Sequence, residues 1–412
     1  MKDVLKIVFV GHVDHGKSTL IGRLLYNTGA IPEDKIKDMM YLDEGKQKID
    51  YAFLMDHFEE ERKQGITIDT AQIFFETNKR KYVIIDAPGH KEFIVNMITG
   101  ASQADVAVLI VDACEGIQEQ TKRHAYLLSM LGIKKIVLVV SKMDLVQYNS
   151  NVYGEIVYNL KSFLTRVNIE NISTVPISAI EDENVTEKSK KMNWYIGLPL
   201  IDILDNIDVA SDRNTEYSLF AVQDIYHIEI RNVKQRLILG KVEMGEFNRG
   251  QLIYALPSGE STRIKSVERY NCQCEKAILG DCVGFTIEDS LFIERGNILV
   301  KEKKDVTVAV RFKAIVFWMS SDSGFIGEKV DIKCSTQESG ACIEKINNKV
   351  NSATLEIIKD DIFHINKLEI CEMVISTKKP IVIGKISEFK SLSRFILTMN
   401  DIIVASGIIT EV

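Results

Sequence analysis

The first half of the sequence alternates short apolar runs with helix-length amphipathic segments, and this alternation limits the possible folds more than any other feature. Runs rich in valine and isoleucine predict strands at Leu5–Val10, Tyr82–Ile85, Val106–Val111 and Ile136–Val140. Segments with helical spacing lie between or after them, at Lys17–Tyr26, Lys91–Met97, Gln120–Leu131 and Gly154–Val167. Strands that alternate with helices favour a mostly parallel, doubly wound α/β domain, which we place at residues 1–207.

After Asp208 the sequence changes to short β-rich runs separated by turn residues. The predicted strands are Ser218–Tyr226, Arg236–Val242, Gln251–Ala255, Thr262–Ser266, Val306–Phe317, Lys329–Cys334 and Arg394–Thr398. Since no helix-length amphipathic segment interrupts them, we predict two antiparallel β-barrel domains, at residues 212–302 and 305–412.

The composition is that of a globular protein without a membrane span. The chain has 412 residues, is 46% hydrophobic, and contains no run near the ~18 apolar residues that a spanning helix needs. Its start leads directly into a predicted strand rather than a secretory signal, and its seven irregularly spaced cysteines suit reduced thiols. We therefore expect a cytoplasmic protein with no membrane partner.

The charge gives no reason to expect nucleic acid as the default partner. Residues 1–208 carry 24 basic and 30 acidic side chains, and residues 209–412 carry 27 and 28. Neither part is the basic surface that phosphate backbones require.

A phosphate-binding motif follows the first predicted strand. The string is Gly11-His12-Val13-Asp14-His15-Gly16-Lys17-Ser18, and Thr19 continues it into a predicted helix. It matches G-x-x-x-x-G-K-[ST] in the strand–loop–helix setting that this motif requires. Its glycines let backbone N–H groups approach phosphates, Lys17 can reach the β and γ oxygens, and Ser18 can offer its hydroxyl to Mg²⁺. A chance match in a glycine-containing turn is the alternative, and further motifs in the expected order argue against it.

The next motifs supply metal ligands and a contact for the γ-phosphate. The string Asp86-Ala87-Pro88-Gly89-His90 lies at the end of a predicted strand. Asp86 can bind the water ligands of Mg²⁺, and the Gly89 N–H can contact the γ-phosphate. The connection from Thr28 to Ile66 matches no strand and is rich in charge, so we predict helices and a mobile loop there. Thr67, which follows it, offers a second hydroxyl for Mg²⁺.

Two later loops indicate that the base is guanine. Ser141-Lys142-Met143-Asp144 ends one predicted strand, and Ser178-Ala179-Ile180 ends the last strand of the domain. A carboxylate such as Asp144 accepts two hydrogen bonds, from guanine N1–H and the exocyclic amine, which adenine cannot offer. The stem of Lys142 can lie on the base. We therefore predict GTP and GDP as ligands, with Mg²⁺ as cofactor.

These residues resemble the translation-factor class of GTPases, typified by elongation factor Tu. The likeness lies in the Gly11–Ser18 string, Gly65-Ile66-Thr67-Ile68-Asp69, Asp86-Ala87-Pro88-Gly89-His90 and Asn96-Met97-Ile98-Thr99-Gly100-Ala101-Ser102-Gln103-Ala104-Asp105. The resemblance implies that His90 orients the attacking water, that Val13 and Ile66 form an apolar gate beside it, and that Thr67 closes on the metal. The chain departs from the class at Ser141, where an asparagine is usual. A serine hydroxyl makes fewer bonds, so we expect somewhat weaker nucleotide binding with guanine selectivity retained through Asp144.

Within this class the chain is most similar to the large, GTPase subunit of bacterial sulfate adenylyltransferase. The similar strings are Lys17–Tyr26, Gln120–His124, Leu131–Ile133, Pro257–Gly259, Leu291–Gly296, Phe317–Met319, Val350–Glu356 and Arg394–Leu397. The resemblance implies a partner, the small catalytic subunit that joins sulfate to the AMP part of ATP and releases pyrophosphate, driven by GTP hydrolysis. The sequence has no second nucleotide-binding loop of the Ser-Gly-Gly-Lys-Asp type, so we expect that chemistry on the partner. Because the chain stops at Val412, we expect no kinase activity towards adenylyl sulfate.

Two other classes of function stay open on the sequence. One is an elongation-factor-like GTPase that delivers aminoacyl-tRNA, against which the near-neutral second half argues weakly. The other is a protein that binds GTP without turnover, against which the intact motif residues argue: Lys17, Ser18, Thr67, Asp86 and His90.

The remaining histidines and the tryptophan near the second barrel have structural interpretations. We interpret His12 and His15 as shaping the phosphate loop. We take His124, His227 and His364 as packing or surface residues, and Trp318 as part of a barrel core.

Overall fold

The computed structural model of the chain forms two compact units. They comprise Met1–Val209 with Ser352–Thr354, and Ala210–Asn351 with Leu355–Val412. The residues that the structure describes are 3–31, 36, 40–43, 46–53, 72–86, 104–208, 217–230, 233–269, 272–358, 363–384 and 389–412.

The first unit contains a six-stranded sheet with helices. The unit has eight described strands, of which β2 and β3 form a separate pair. The strands are β1 Val4–Gly11, β2 Met40–Asp43, β3 Lys46–Ile49, β4 Gln72–Glu76, β5 Lys81–Asp86, β6 Val106–Asp112, β7 Lys135–Ser141 and β8 Asn171–Pro176. Its helices are α1 Lys17–Asn27, α2 Glu119–Met130, α3 Ser150–Arg166 and α4 Leu200–Asp205. The sheet order is β4-β5-β1-β6-β7-β8, and only β4 runs antiparallel to its neighbour. The predicted, mostly parallel α/β domain is therefore confirmed.

Burial on both faces of the sheet explains why its central strands read as continuous apolar runs. All seven residues of β6 are buried. Side chains of β1 and α1 meet in one core, which includes Leu5, Phe9, Leu20 and Leu24. A strand covered by helices on each side has no solvent face, so apolar residues occupy consecutive positions.

The prediction that the connection from Thr28 to Ile66 holds no strand is wrong in part. Strands β2 and β3 pair antiparallel, with Met40 opposite Ile49 and Asp43 opposite Lys46. Each has only four residues, too few for a sequence period to stand out. The helix predicted at Lys91–Met97 lies outside the described residues.

The second unit contains two rings of antiparallel strands. Its strands are β9 Leu219–Ile230, β10 Val233–Met244, β11 Glu246–Asn248, β12 Leu252–Leu256, β13 Glu260–Arg269, β14 Cys272–Cys274, β15 Lys276–Ile278, β16 Cys282–Ile287, β17 Ile298–Val300, β18 Thr307–Trp318, β19 Gly324–Phe325, β20 Lys329–Cys334, β21 Gln337–Asn351, β22 His364–Ile365, β23 Glu369–Ile383, β24 Arg394–Met399 and β25 Ile402–Glu411. A 3₁₀ helix lies at Lys303–Asp305, and helix α5 spans Lys390–Ser393.

Both rings close through hydrogen bonding. The first has the order β12-β17-β9-β10-β16-β13, and the pairing of β12 with β13 completes it. The second is the closed barrel β18-β23-β21-β20-β24-β25. Closure leaves a barrel without the free strand edges that promote aggregation. The two predicted antiparallel barrels are confirmed.

Each barrel has its own aromatic or aliphatic core. In the first, the rings of Phe220 and Phe285 stack with centroids 4.3 Å apart. In the second, Trp318 is fully buried, as expected, and its indole N–H donates to the Asp322 carbonyl at 2.7 Å. A third apolar cluster, which includes Leu219, Val306 and Phe389, joins residues of both barrels. Among the described helices, none is long and apolar enough to cross a bilayer.

Candidate nucleotide-binding site

The phosphate loop joins the end of β1 to the start of α1. Gly16 caps the helix with φ of 85°, a left-handed conformation that favours glycine, and its carbonyl accepts the Leu20 N–H at 2.9 Å. At Gly11, an added Cβ would lie 2.9 Å from the Ile110 carbonyl oxygen, so only glycine permits this approach of β1 to β6. Lys17, Ser18 and Thr19 form the half-buried first turn of α1. The backbone N–H groups of such a turn lack helical acceptors and suit an anion.

Two histidines of the phosphate loop contact residues outside it. His15 is fully buried; its Nδ1 accepts the Asp112 N–H at 3.3 Å, and its Nε2 lies 3.2 Å from a Glu115 carboxylate oxygen. Burial lowers the pKa of His15, against the opposing effect of Glu115, so the ring is neutral at pH 7. His12 Nδ1 lies 2.6 Å from Gln120 Oε1. These contacts support the interpretation that both rings shape the loop.

Ser141 ties the base-binding segment to the phosphate loop. Its buried hydroxyl lies 2.6 Å from the His15 carbonyl oxygen and 3.2 Å from that of Val111, and it can donate to one of them at a time. The serine thus links the base-binding segment to the phosphate loop.

Lys142 is held next to the phosphate loop by an ion pair. Its Nζ lies 2.7 Å from a carboxylate oxygen of Asp112, at the end of β6. Burial raises the pKa of Asp112, but bonds from Lys142 and from the Cys114 and Glu115 N–H groups outweigh it, and the net pKa is lowered. The carboxylate is therefore charged at pH 7. The Lys142 Cε atom lies 4.0 Å from where a Cβ on Gly16 would be, so the stem of the lysine passes beside the loop.

The two base loops follow neighbouring parallel strands, β7 and β8. The Met143 N–H donates to the Ile177 carbonyl at 3.1 Å, which joins the backbones just before the two loops. Asp144 is half-buried in the first loop. In the second, Ser178 pairs with Glu183 through two backbone bonds of 3.1 and 3.0 Å, and the Ser178 hydroxyl accepts the Glu181 N–H at 3.3 Å. Ala179 is buried and Ile180 is exposed.

Four predicted site residues lie outside the described residues, namely Ile66, Thr67, Gly89 and His90. Asp86 is described in its backbone, as the last residue of β5, in register with Phe9 of β1. The structure therefore brings together the phosphate loop, Ser141–Lys142 and, through the strand ends, the two base loops. The predicted roles of individual residues stay predictions.

Sequence reasoning missed two residues that organise the site. Asp112 ends a buried parallel strand, in register with Ser141, and that position at the carboxyl edge could have indicated it. Arg23 lies on α1, where its guanidinium Nε donates to the Ala179 carbonyl at 2.7 Å and Nη2 donates to the Ile180 carbonyl. An arginine among the apolar positions of a helix is the signal for it: Arg23 is only 9% exposed.

Removing the Ser141 hydroxyl is expected to loosen the phosphate loop. Ser141→Ala leaves the buried His15 carbonyl without its 2.6 Å donor, so we expect a loss of about 1–2 kcal/mol in unfolding free energy and a GDP affinity lower by roughly fivefold. Denaturant unfolding and GDP titration measure the two effects. Ser129→Ala is the matched control because the Ser129 hydroxyl also bonds a carbonyl, that of Val167, which lies outside the nucleotide loops. Unchanged GDP affinity in Ser141→Ala would show that the tie does not serve nucleotide binding.

Comparison with known families matches both halves of the chain. The family model for the elongation factor Tu GTP binding domain matches residues 2–216, and the GTP-eEF1A C-terminal domain-like model matches residues 311–410. The first match covers the whole α/β domain, including every nucleotide motif described above.

Individual relatives match almost the full length. Sulfate adenylyltransferase subunit 1 of Alteromonas mediterranea is 36% identical over 418 residues, covering 100% of this chain and 88% of the relative. The subunit 1 of Bacteroides fragilis is 38% identical over 400 residues, covering 96% and 83%. A crystal structure of sup35 complexed with GDP aligns with a TM-score of 0.46 and 24% identity, over 100% of this chain and 95% of that chain.

Proposed function

Because this chain belongs to the sulfate adenylyltransferase subunit 1 family, we propose that it is the GTPase subunit of a sulfate adenylyltransferase. Its GTP hydrolysis drives the reaction of ATP and sulfate to adenylyl sulfate and pyrophosphate on a small catalytic partner subunit. The observation that carries the proposal is the match to subunit 1 relatives over 96–100% of this chain. The same match favours this function over delivery of aminoacyl-tRNA.

The residues of the nucleotide site fit guanine nucleotide and Mg²⁺. After the left-handed cap at Gly16, the N–H groups of the first turn of α1 have no acceptor within the helix and suit an anion. Ser18, in that turn, would hold the metal together with Thr67 and Asp86. When bound, Mg²⁺ neutralises charge on the β- and γ-phosphates. Asp144 and the loop Ser178–Ile180 would bind the guanine, and Lys142 would lie along it.

The reaction at this site is phosphoryl transfer to water. Lys17 and the N–H groups of Gly11–Gly16 stabilise charge that develops on the oxygens between the β- and γ-phosphorus atoms. His90 orients the water, and Val13 and Ile66 exclude others. The bonds of His15 with Asp112 and of Ser141 with the His15 carbonyl fix the backbone of the loop. A loop fixed in this way spends little free energy on reorganisation in the transition state.

Co-expression with a small adenylyltransferase subunit tests the proposal. We expect the two chains to copurify, and the complex to form adenylyl sulfate from ATP and sulfate faster when GTP is present. A non-hydrolysable GTP analogue is the control and should not reproduce the acceleration. Binding of aminoacyl-tRNA in the GTP state, with no copurification, would support the elongation-factor function instead.

A further inference from the structure

Arg23 connects helix α1 to the loop at the end of β8. Its Nε donates to the Ala179 carbonyl at 2.7 Å, and its Nη2 donates to the Ile180 carbonyl. The side chain is 9% exposed, so both bonds are largely shielded from water. Charge-assisted bonds in such surroundings are stronger than bonds between neutral groups.

Tyr51 covers the other side of this arginine. The guanidinium carbon lies 4.0 Å from the centroid of the Tyr51 ring, within cation–π range. The neighbouring Gly22 permits this contact, because an added Cβ there would lie 1.9 Å from the Tyr51 carbonyl oxygen. Tyr51 is 8% exposed and also meets the ring of Tyr26 edge-on at 5.6 Å. Arg23 is thus held on one side by an aromatic ring and on the other by two carbonyls.

The bond from Arg23 to the Ala179 carbonyl determines where the Ile180 N–H points. The Ala179 carbonyl and the Ile180 N–H belong to one trans peptide unit and point in opposite directions. A carbonyl directed at Arg23 therefore directs the Ile180 N–H away from helix α1. The Ala179 N–H is oriented by a different bond, because the Ser178 carbonyl in its peptide unit accepts the Glu183 N–H at 3.0 Å.

We propose that Arg23, held by Tyr51, is a positioning residue for guanine recognition: it fixes the Ala179–Ile180 peptide unit, so that the Ile180 N–H, beside the Ala179 N–H, is aimed at the O6 acceptor of the base. This rests on the proposed function, in which the Ser178–Ile180 loop binds guanine. Adenine carries an amino donor in place of O6, so oriented N–H donors select against it. In this role Arg23 would act through the backbone of the loop rather than by contact with the nucleotide.

The test compares two nucleotides that differ at O6. GDP and the diphosphate of 2-aminopurine riboside share their phosphates and exocyclic amine, but the analogue lacks O6 and the N1–H. The loss of N1–H concerns Asp144 and is common to the parent and the Arg23 variants. In Arg23→Met we expect GDP to dissociate roughly tenfold faster and the preference for GDP over the analogue to fall by a similar factor. Arg23→Lys can still donate to one carbonyl, so its GDP dissociation rate and its preference for GDP should lie between those of the parent and those of Arg23→Met. Stopped-flow dissociation with fluorescent diphosphates measures both quantities.

Arg80→Met is the matched control. Arg80 is also 9% exposed and donates to two carbonyls, those of Ile207 at 2.7 Å and Leu204 at 3.3 Å, outside the nucleotide loops. It should lower stability without changing the preference between the two diphosphates. If Arg23→Met does not fold, Tyr51→Leu and Arg23→Lys replace it in the test. Each of these variants keeps part of the contacts around residue 23. Each should therefore lower the preference for GDP over the analogue, but by less than is expected for Arg23→Met.

The outcomes separate this inference from the proposed function. A parent chain that binds no GDP contradicts the proposed function. A parent that binds GDP, with variants that lose both diphosphates equally or lose neither, contradicts the positioning role of Arg23.

Discussion

Lys17→Met is expected to lower the rate of GTP hydrolysis by about 10²–10³-fold. Lys17 is the first residue of α1, directly after the left-handed Gly16, and so its backbone is fixed beside the phosphate-binding N–H groups. Methionine keeps the length of the aliphatic stem and removes the charge, which isolates the electrostatic contribution. Since the lysine would contact phosphates in the ground state as well, we also expect weaker GTP binding. Single-turnover hydrolysis and GTP titration, in the presence of the proposed partner subunit, measure the two effects.

Two further variants make this result interpretable. Lys134→Met removes an exposed lysine that precedes β7 and should hydrolyse GTP at the parent rate. His90→Ala should lose hydrolysis while keeping GTP affinity, because a residue that orients water acts only in the reaction step. Hydrolysis at the parent rate in Lys17→Met would remove Lys17 from the mechanism, and the same result in His90→Ala would remove His90.

Asp144→Asn is expected to change which base the protein accepts. In the proposed site the Asp144 carboxylate would accept bonds from guanine N1–H and the exocyclic amine, whereas an amide presents an acceptor and a donor. Xanthine carries an oxygen in place of the amine and matches that pair. We expect GDP affinity to fall by roughly 10²–10³-fold and xanthosine diphosphate to bind better than to the parent. Competitive titration with both diphosphates measures this change in base preference.

Glu155→Gln is the control for loss of one negative charge, because Glu155 is an exposed carboxylate on α3. It should leave both affinities as they are in the parent. The backbone of Asp144 is held by its carbonyl, which accepts the Gln147 N–H at 3.2 Å, so the asparagine is expected to occupy the same place. Guanine preference that survives in Asp144→Asn would mean that another group reads the base edge.

The sequence predicted the first unit more completely than the second, for reasons visible in the strands. Parallel strands such as β6 are buried on both faces and read as unbroken apolar runs. The longest strands of the second barrel, β21 and β23, have 15 residues each and were not predicted. Their pairing contains register shifts, between Ile343 and Lys345 and between Asn347 and Val350. A bulge interrupts the period-2 pattern on which a strand prediction depends.

The site, like the fold, was predictable where it depends on local sequence patterns. The phosphate loop was predictable because its function depends on residues adjacent in sequence, whose backbone forms the binding surface. Asp112 and Arg23 were missed because each acts through a residue far along the chain, and neither belongs to a local motif. Burial of charge is the physical signal they share: Asp112 is 1% exposed and Arg23 is 9% exposed.

By itself, the sequence determined the order of the nucleotide motifs and the α/β domain followed by two barrels, and it predicted the chemistry of the phosphate loop. All of these depend on local patterns of side chains or on the backbone of short segments. Only the tertiary structure decided which distant groups meet. Ser141 reaches the carbonyl of His15 across 126 positions, and Arg23 reaches that of Ala179 across 156. A hydrogen bond requires atoms about 3 Å apart. The order of strands in the sheet, rather than distance along the chain, brings these atoms within that range.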